Sequence, residues 1–127
     1  MSSLTEAMAA SASGLSAQSA RLRVTSENIA NVDTPGYRAK GLVFDEVLGA
    51  HAAVEVGDMQ FSDAALTRIH DPSHPLSGPD GYYDGSNVNV MIEMADAQEA
   101  QRSYEANLRI FDQARQMSSS LMDIIRR

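Results

Sequence analysis

The residues whose types and spacing could do chemistry are two histidines, His70 and His74, which stand four positions apart. On one face of a helix, this spacing would let two imidazoles bind a metal ion. Both instead fall between residues 68 and 86, a segment with three prolines, three glycines and three aspartates, which predicts irregular chain. The third histidine, His51, is isolated. We therefore predict no metal site and no cofactor, while a metal-dependent enzyme built on His70 and His74 stays open as an alternative.

Other catalytic signatures are missing from the sequence. The serines stand in no nucleophile elbow, and the glycines form no phosphate-binding loop. The chain has no cysteine, which excludes disulfide and thiolate chemistry. The acidic residues between 39 and 86 lack the spacing of a calcium-binding EF-hand loop. We therefore predict no catalytic, cofactor-binding or metal-binding residue, and a protein that is not an enzyme.

Composition narrows the choice of partner and compartment. The chain has 127 residues, enough for one domain, and its net charge of −7 disfavours non-specific binding to nucleic acid. No segment approaches the length of a transmembrane helix. The first ten residues have neither the basic region nor the continuous apolar core of a secretory signal. We expect no nucleic-acid partner and no membrane insertion, with a location in the cytosol or export by a route that reads no cleavable signal.

Apolar residues recur every seven positions in the first part of the chain, as in a helix that packs against another helix. They are Met8, Leu15, Leu22 and Ile29. The neighbouring row is largely polar, and its polar members are Ser11, Gln18 and Thr25. Such a seam is weak, so this helix should depend on other helices for its order. We predict a helix that starts near Ser3 and ends at Asn31 or Val32, before a type II turn at Pro35 and Gly36.

A second helix is predicted from its N-cap, Asn89, to the end of the chain, because neither Pro nor Gly interrupts that stretch. The apolar residues predicted to pack on this helix are Met94, Tyr104, Leu108, Phe111, Leu121 and Ile125. A helix of this length spans about 57 Å at 1.5 Å per residue, more than so small a chain can cover. Its uncovered part must meet another subunit, which favours assembly over catalysis.

The pattern changes between the two helices. Residues 42–44 and the alternation around Val54 predict one or two short strands or a hairpin. The chain thus divides into an N-terminal helix (1–33), a segment with a Pro-Gly corner, short strands and an acidic loop (34–86), and a C-terminal helix (87–127). We predict a mainly α fold in which the terminal helices pack as an antiparallel coiled-coil-like pair, with a small irregular or β segment between them.

Two motifs in the sequence resemble those of the bacterial flagellar basal-body rod protein family. The first comprises Asn28, Asn31, Thr34, Pro35, Gly36 and Tyr37. The second comprises Asn87, Asn89, Glu93, Met94, Arg102, Tyr104 and Asn107. Their order and spacing match the family. The long middle domain of larger rod and hook proteins is missing, so two short proximal-rod types remain. Asp71, Pro72 and Pro75 look like the first, which we predict. The compact turn at 34–37 looks more like the second, which is the alternative.

The resemblance implies a structural subunit of the flagellar basal body. Family members leave the cytoplasm through the flagellar type III export apparatus without a cleaved signal, and form a helical rod that crosses the periplasm and transmits torque. Their terminal helices form an inner coiled-coil-like layer. The implied partners are copies of the chain, other rod subunits, MS-ring or adaptor proteins and the export apparatus. Phe44 and Leu48 have the Phe-x-x-x-apolar form of an export signal proposed for this group. The competing hypothesis is a cytosolic helical export chaperone or adaptor.

Overall fold

The computed structural model describes residues 3–47 and 53–126, so the predictions made for Leu48 and His51 lie outside the described residues. In chain order the elements are α1 (Ser3–Ala30), β1 (Lys40–Val47), β2 (Ala53–Phe61), β3 (Arg68–His70), β4 (Tyr82–Asp84) and α2 (Val90–Arg126). Both long helices were predicted from the sequence. Asn89 caps α2 as predicted, since its side-chain oxygen accepts the N–H groups of Met91 and Ile92 at 3.1 and 3.3 Å.

The two helices pack side by side in opposite directions. Arg21 on α1 reaches Asp96 and Glu99 on α2, at 3.4 and 3.3 Å. Gly14, further back on α1, lies opposite Asn107, further along α2, so closely that a Cβ at Gly14 would stand 2.8 Å from the Asn107 amide group. The positions buried most deeply along this contact carry small side chains: Ser11, Ala17, Ala100 and Ala114. The predicted antiparallel helix pair is confirmed, and its small residues explain the close approach.

The hairpin of β1 and β2 lies on α1. The strands are antiparallel, with a bulge between Leu42 and Phe44. Gly57 faces this bulge, and a Cβ there would stand 2.9 Å from the Val43 carbonyl oxygen, which leaves room for glycine only. The N–H of Val54 donates to the hydroxyl of Ser13 on α1 at 3.1 Å. The predicted hairpin is therefore present, anchored to the first helix.

A second, smaller hairpin corrects the prediction of wholly irregular chain between residues 68 and 86. Strands β3 and β4 pair antiparallel over three residues each, with His70 opposite Tyr82. Their rings meet edge to face with centroids 4.7 Å apart, and the ring of His74 stacks on that of Tyr83 at 3.9 Å. Strands of three residues are too short to show an alternating pattern, and ring contacts across the strands stabilise them instead.

The core of the described chain is thin and partly polar. Its buried apolar residues are Ala17, Val24, Ala100 and Ala114, and its buried polar residues are Ser11, Thr25, Asn28, Ser86 and Glu93. Large apolar side chains lie mainly at the surface, above all on α2. None of the helices in the described ranges has both the length and the apolar content needed to cross a membrane.

Candidate assembly interface

The end of α1, the start of β1 and the start of α2 meet at one fully buried side chain, Asn28. Its side-chain oxygen accepts the Tyr37 hydroxyl at 2.8 Å and the Lys40 N–H at 2.9 Å. Its amide donates to the Lys40 carbonyl at 2.9 Å, and the same amide group lowers the pKa of the nearby Glu93 carboxyl. Two accepted bonds and one donated bond, with distances of 2.8 to 2.9 Å, tie this side chain to the turn and to β1. Asn28 therefore fixes how the chain leaves α1 and where α2 begins.

The turn that follows α1 has the predicted type II geometry. The N–H of Tyr37 donates to the Thr34 carbonyl at 3.1 Å, and Gly36, at the third position, has φ of +74°. The N–H of Gly36 also reaches the carbonyls of Asp84 and Gly85, at 3.2 and 3.1 Å. The turn thus positions Tyr37 for its bond to Asn28 and joins the smaller hairpin to the corner.

Asn87 closes the corner from the other side. Its side-chain oxygen accepts the Ala39 N–H at 2.6 Å, and its amide donates to the carbonyls of Ser62 and Ala64 at 3.2 and 3.1 Å. Its own N–H donates to the Tyr37 carbonyl at 3.2 Å. Asn28, Tyr37, Asn87 and Glu93 come from the two sequence motifs, and the structure brings them together. We call these four residues the corner cluster.

The remaining motif residues lie outside the corner cluster. Asn31 donates to the carbonyl of Glu27 at 2.8 Å and accepts from the hydroxyl of Thr34 at 3.1 Å, which finishes α1. Tyr104 is half-buried, and Asn107 lies against α1 as described above. Arg102 and Met94 are exposed on α2. The corner cluster and the helix contact therefore account for most of the two motifs, but not for these two side chains.

Glu93 has an unusual electrostatic setting within the corner cluster. It is only 9 % exposed, and among the described residues it forms no ion pair. Burial raises the pKa of this carboxyl above its usual value, while the hydrogen bond from Asn28 lowers the pKa and the charge of Asp96 raises it. The neighbouring Tyr37 also has a raised pKa, chiefly through burial, which keeps its phenol protonated and able to donate to Asn28.

The raised pKa of Glu93 predicts a pH effect on stability. Because the folded state binds the proton more tightly than the unfolded chain, the stability from this group is full at acidic pH and falls as pH rises through the folded pKa. We expect Glu93→Gln to raise the free energy of unfolding at pH 7, with the difference from the parent chain vanishing near pH 4. Urea titrations followed by circular dichroism at both pH values measure this. A variant less stable at pH 7 would contradict the assignment.

The apolar heptad row predicted on α1 lies beside the helix contact. Met8, Leu15, Leu22 and Ile29 are all half-buried. The polar row of the same seam is the one that packs on α2: Ser11 and Thr25 are 4 % exposed, with their hydroxyls donating to carbonyls one turn back. The side-chain oxygen of Gln18 is buried there without a hydrogen-bond partner. Sequence reasoning identified this seam but did not show which row would face α2. The role of the apolar row in assembly stays a prediction.

The outer face of α2 is the largest uncovered apolar surface of the described chain. Of the residues predicted to pack, Tyr104 and Phe111 are half-buried, whereas Met94, Leu108, Leu121 and Ile125 are exposed. Since Gly14 lies opposite Asn107 in an antiparallel pair, Ser3 is level with about residue 118. The rest of α2 therefore extends roughly 12 Å beyond the described start of α1. All its described residues, 119–126, are exposed. We call this stretch the α2 extension.

Two family models match the ends of the chain where the structure places the helices. The model "Flagella basal body rod protein" matches residues 8–38, which cover most of α1 and the corner turn. The model "Flagellar basal body rod FlgEFG protein C-terminal" matches residues 80–124, which cover β4 and nearly all of α2. The two matched regions therefore include all four residues of the corner cluster.

Flagellar rod proteins of several bacteria are similar to this chain over most of their length and most of its own. The flagellar basal-body rod protein FlgC of Agrobacterium fabrum is 40 % identical, over 99 % of this chain and 98 % of its own. The FlgC protein of Salmonella typhimurium is 37 % identical, over 83 % of this chain and 85 % of its own. That of Bacillus subtilis is 28 % identical, over 90 % of this chain and 93 % of its own.

The fold, the uncovered helix surface and these similarities define the class of protein: a structural subunit of the rod in the flagellar basal body. The chain belongs to the flagella basal body rod protein family. Within this family its similarity is to the FlgC type, which decides between the two short rod types that the sequence resembled. As a rod subunit it assembles with other rod components.

Proposed function

We propose that this subunit is exported without a cleaved signal, gains most of its stability on assembly, and transmits torque in the proximal, periplasmic part of the rod. The observation that carries the proposal is the exposed apolar surface of α2, which ends in the α2 extension. Ile124 and Ile125 there are 68 % and 76 % exposed. Apolar surface of this extent is typical of a protein that packs against other subunits.

The thin core supports folding on assembly. The apolar residues buried in the described chain are three alanines and one valine, so little apolar area offsets the entropy lost on ordering two long helices. A chain of this kind folds with little stability alone, so it unfolds readily for passage through a narrow export channel. Packing against neighbouring subunits then supplies the missing burial. Phe44 is half-buried in β1, and its use with Leu48 as an export signal belongs to the unfolded chain.

The shape of the subunit supports a helical assembly. An elongated subunit with different surfaces at its two ends makes head-to-tail contacts, and such contacts generate a tube when they do not close into a ring. Closely packed long helices give the tube the stiffness that torque transmission needs. Under this proposal the partners are copies of the chain, other rod subunits, the MS-ring or adaptor proteins and the flagellar type III export apparatus, and its role is structural rather than catalytic.

The experiment that tests the proposal is mass spectrometry of purified hook–basal bodies beside the cytosolic fraction of the same cells. We expect the chain to be enriched in the basal bodies after detergent and alkaline washing, with its N-terminal peptide intact. Intact N-terminal sequence would show that no signal is cleaved. Absence from the basal bodies together with abundance in the cytosol would contradict the proposal and favour an export chaperone or adaptor.

The apolar heptad row gives a sharper prediction. We expect Leu22→Asp to abolish incorporation into basal bodies while export continues, because a carboxylate on that row cannot be buried against a neighbouring helix. Ser26→Asp, which adds the same charge at an exposed position of α1, is the matched control and should assemble normally. Swimming in soft agar and the chain content of basal bodies and medium are measured. Normal motility of Leu22→Asp would show that the row makes no essential contact.

A further inference from the structure

A cleft with a volume of about 400 Å³ opens between α1, α2 and β1, at the corner end of the helix pair. Its acidic residues are Glu93 and Asp96, both near the start of α2. Its apolar wall is formed by Val24, Leu42 and Phe44. The cleft therefore offers two carboxylates beside an apolar wall, and Arg21 and Lys40 also line it.

The positive charges that line the cleft are already engaged. Arg21 lies 3.4 Å from Asp96 and 3.3 Å from Glu99, and the Lys40 ammonium lies 3.2 Å from Glu27. Glu93, by contrast, forms no ion pair within the described ranges 3–47 and 53–126, and the Asn28 amide beside it is neutral. A carboxylate that is nine-tenths buried without a cation is costly, and a cation placed beside it would recover much of that cost.

We propose that this cleft receives the C-terminal turn of the long C-terminal helix of the axially neighbouring rod subunit, with a guanidinium or ammonium group meeting Glu93. The α2 extension of this chain shows the chemistry of such a turn: exposed Ile124 and Ile125 suit the apolar wall, and Arg126 carries the charge. The cleft lies near one end of α2 and this turn at the other, about 50 Å away along the helix axis. Subunits stacked head to tail bring the two together. The inference rests on the proposed head-to-tail assembly.

A photocrosslinker placed in the cleft tests the contact. The full chain carries p-benzoylphenylalanine at Asp96, whose side chain is 44 % exposed, and assembled hook–basal bodies are irradiated. We expect cross-linked peptides from the last two turns of a rod subunit's C-terminal helix, either of this chain or of a relative with its own distinct mass. The same probe at Glu105, exposed further along α2, should not capture that segment. Cross-links to a ring protein or to another segment, or none from an incorporated chain, would overturn the contact.

The charge of Glu93 is tested separately. Glu93→Gln keeps the shape and an acceptor for Asn28 but removes the charge. We expect its incorporation into basal bodies to fall at least tenfold when it competes with the parent chain, although the free variant is no less stable at pH 7. Glu99→Gln, an exposed acid outside the cleft, is the matched control and should compete equally. Equal incorporation of Glu93→Gln would overturn the role of the charge. Failure of the parent chain itself to enter basal bodies would instead contradict the proposed function.

Discussion

Replacing Asn28 by alanine is expected to lower the free energy of unfolding by about 3 kcal/mol or more, since each buried polar group left without a partner costs about 1–3 kcal/mol. The change removes three hydrogen bonds at once. It leaves the N–H and carbonyl of Lys40 and the carboxylate of Glu93 without their Asn28 partner inside the corner. The hydroxyl of Tyr37 loses its acceptor as well. Urea-induced unfolding followed by circular dichroism measures the loss, and soft-agar swimming should be lost with it.

The matched control for this prediction is Asn31→Ala, one turn further along the chain. Asn31 bonds a carbonyl of its own helix and the hydroxyl of Thr34 near the surface, where water can replace it. We expect a loss of about 1 kcal/mol or less, as for an ordinary hydrogen bond. If both variants lose the same free energy of unfolding, Asn28 contributes no more to stability than an ordinary hydrogen-bonded residue near the surface.

An isosteric variant separates hydrogen bonding from packing at the same position. Asn28→Asp preserves the shape but replaces the amide donor with a second carboxylate beside Glu93. Like charges in a buried site repel, so we expect this variant to be strongly destabilised at pH 7 and to recover part of the loss near pH 4, where the carboxyls are protonated. A variant as stable as the parent chain at both pH values would show that the shape of the side chain, and not its amide donor, holds the corner.

The corner also shows where sequence reasoning reached its limit. The N-cap at Asn89 and the type II turn at Pro35 and Gly36 were predicted correctly because each depends on residues within four positions of one another. The role of Asn28 depends on Lys40, Tyr37 and Glu93, which come from other elements. A polar residue near a helix end has no local sign of complete burial, so only the family motif marked it.

The helix pair is a second case in which the sequence predicted the elements but not the contacts between them. The seven-residue repeat in the first helix and the uninterrupted stretch after Asn89 were enough to predict two long packed helices. They could not show that the polar row with Ser11 and Thr25, rather than the apolar row with Leu22, would face α2 within one subunit. Small side chains decide this, because the missing side chain of Gly14 lets its backbone approach the side chain of Asn107 closely. The larger residues of the apolar row stay half-buried within one subunit, so burial inside one chain cannot rank them as assembly residues.

A substitution in the α2 extension is expected to impair assembly most while leaving the stability of the single subunit unchanged. Ile125 is 76 % exposed and lies past the described start of α1, so it contributes little to the fold of one subunit. We expect Ile125→Asp to change the free energy of unfolding by less than about 0.5 kcal/mol, as for an ordinary surface change. Incorporation into basal bodies and motility should nevertheless be lost, because a buried, unpaired carboxylate would oppose packing against the next subunit.

The control for Ile125→Asp is Gln101→Asp, which adds the same charge at an exposed polar position of the same helix. Both variants should be secreted alike, so their amounts in the medium check that export is intact. If Ile125→Asp assembles as well as Gln101→Asp, the α2 extension stays in solvent, and the rod must be held by the flanks of the helices alone. If Ile125→Asp is secreted but absent from basal bodies, a neighbouring subunit buries the exposed end of α2 on assembly. Such a contact explains why a subunit with so small a core carries so long a helix.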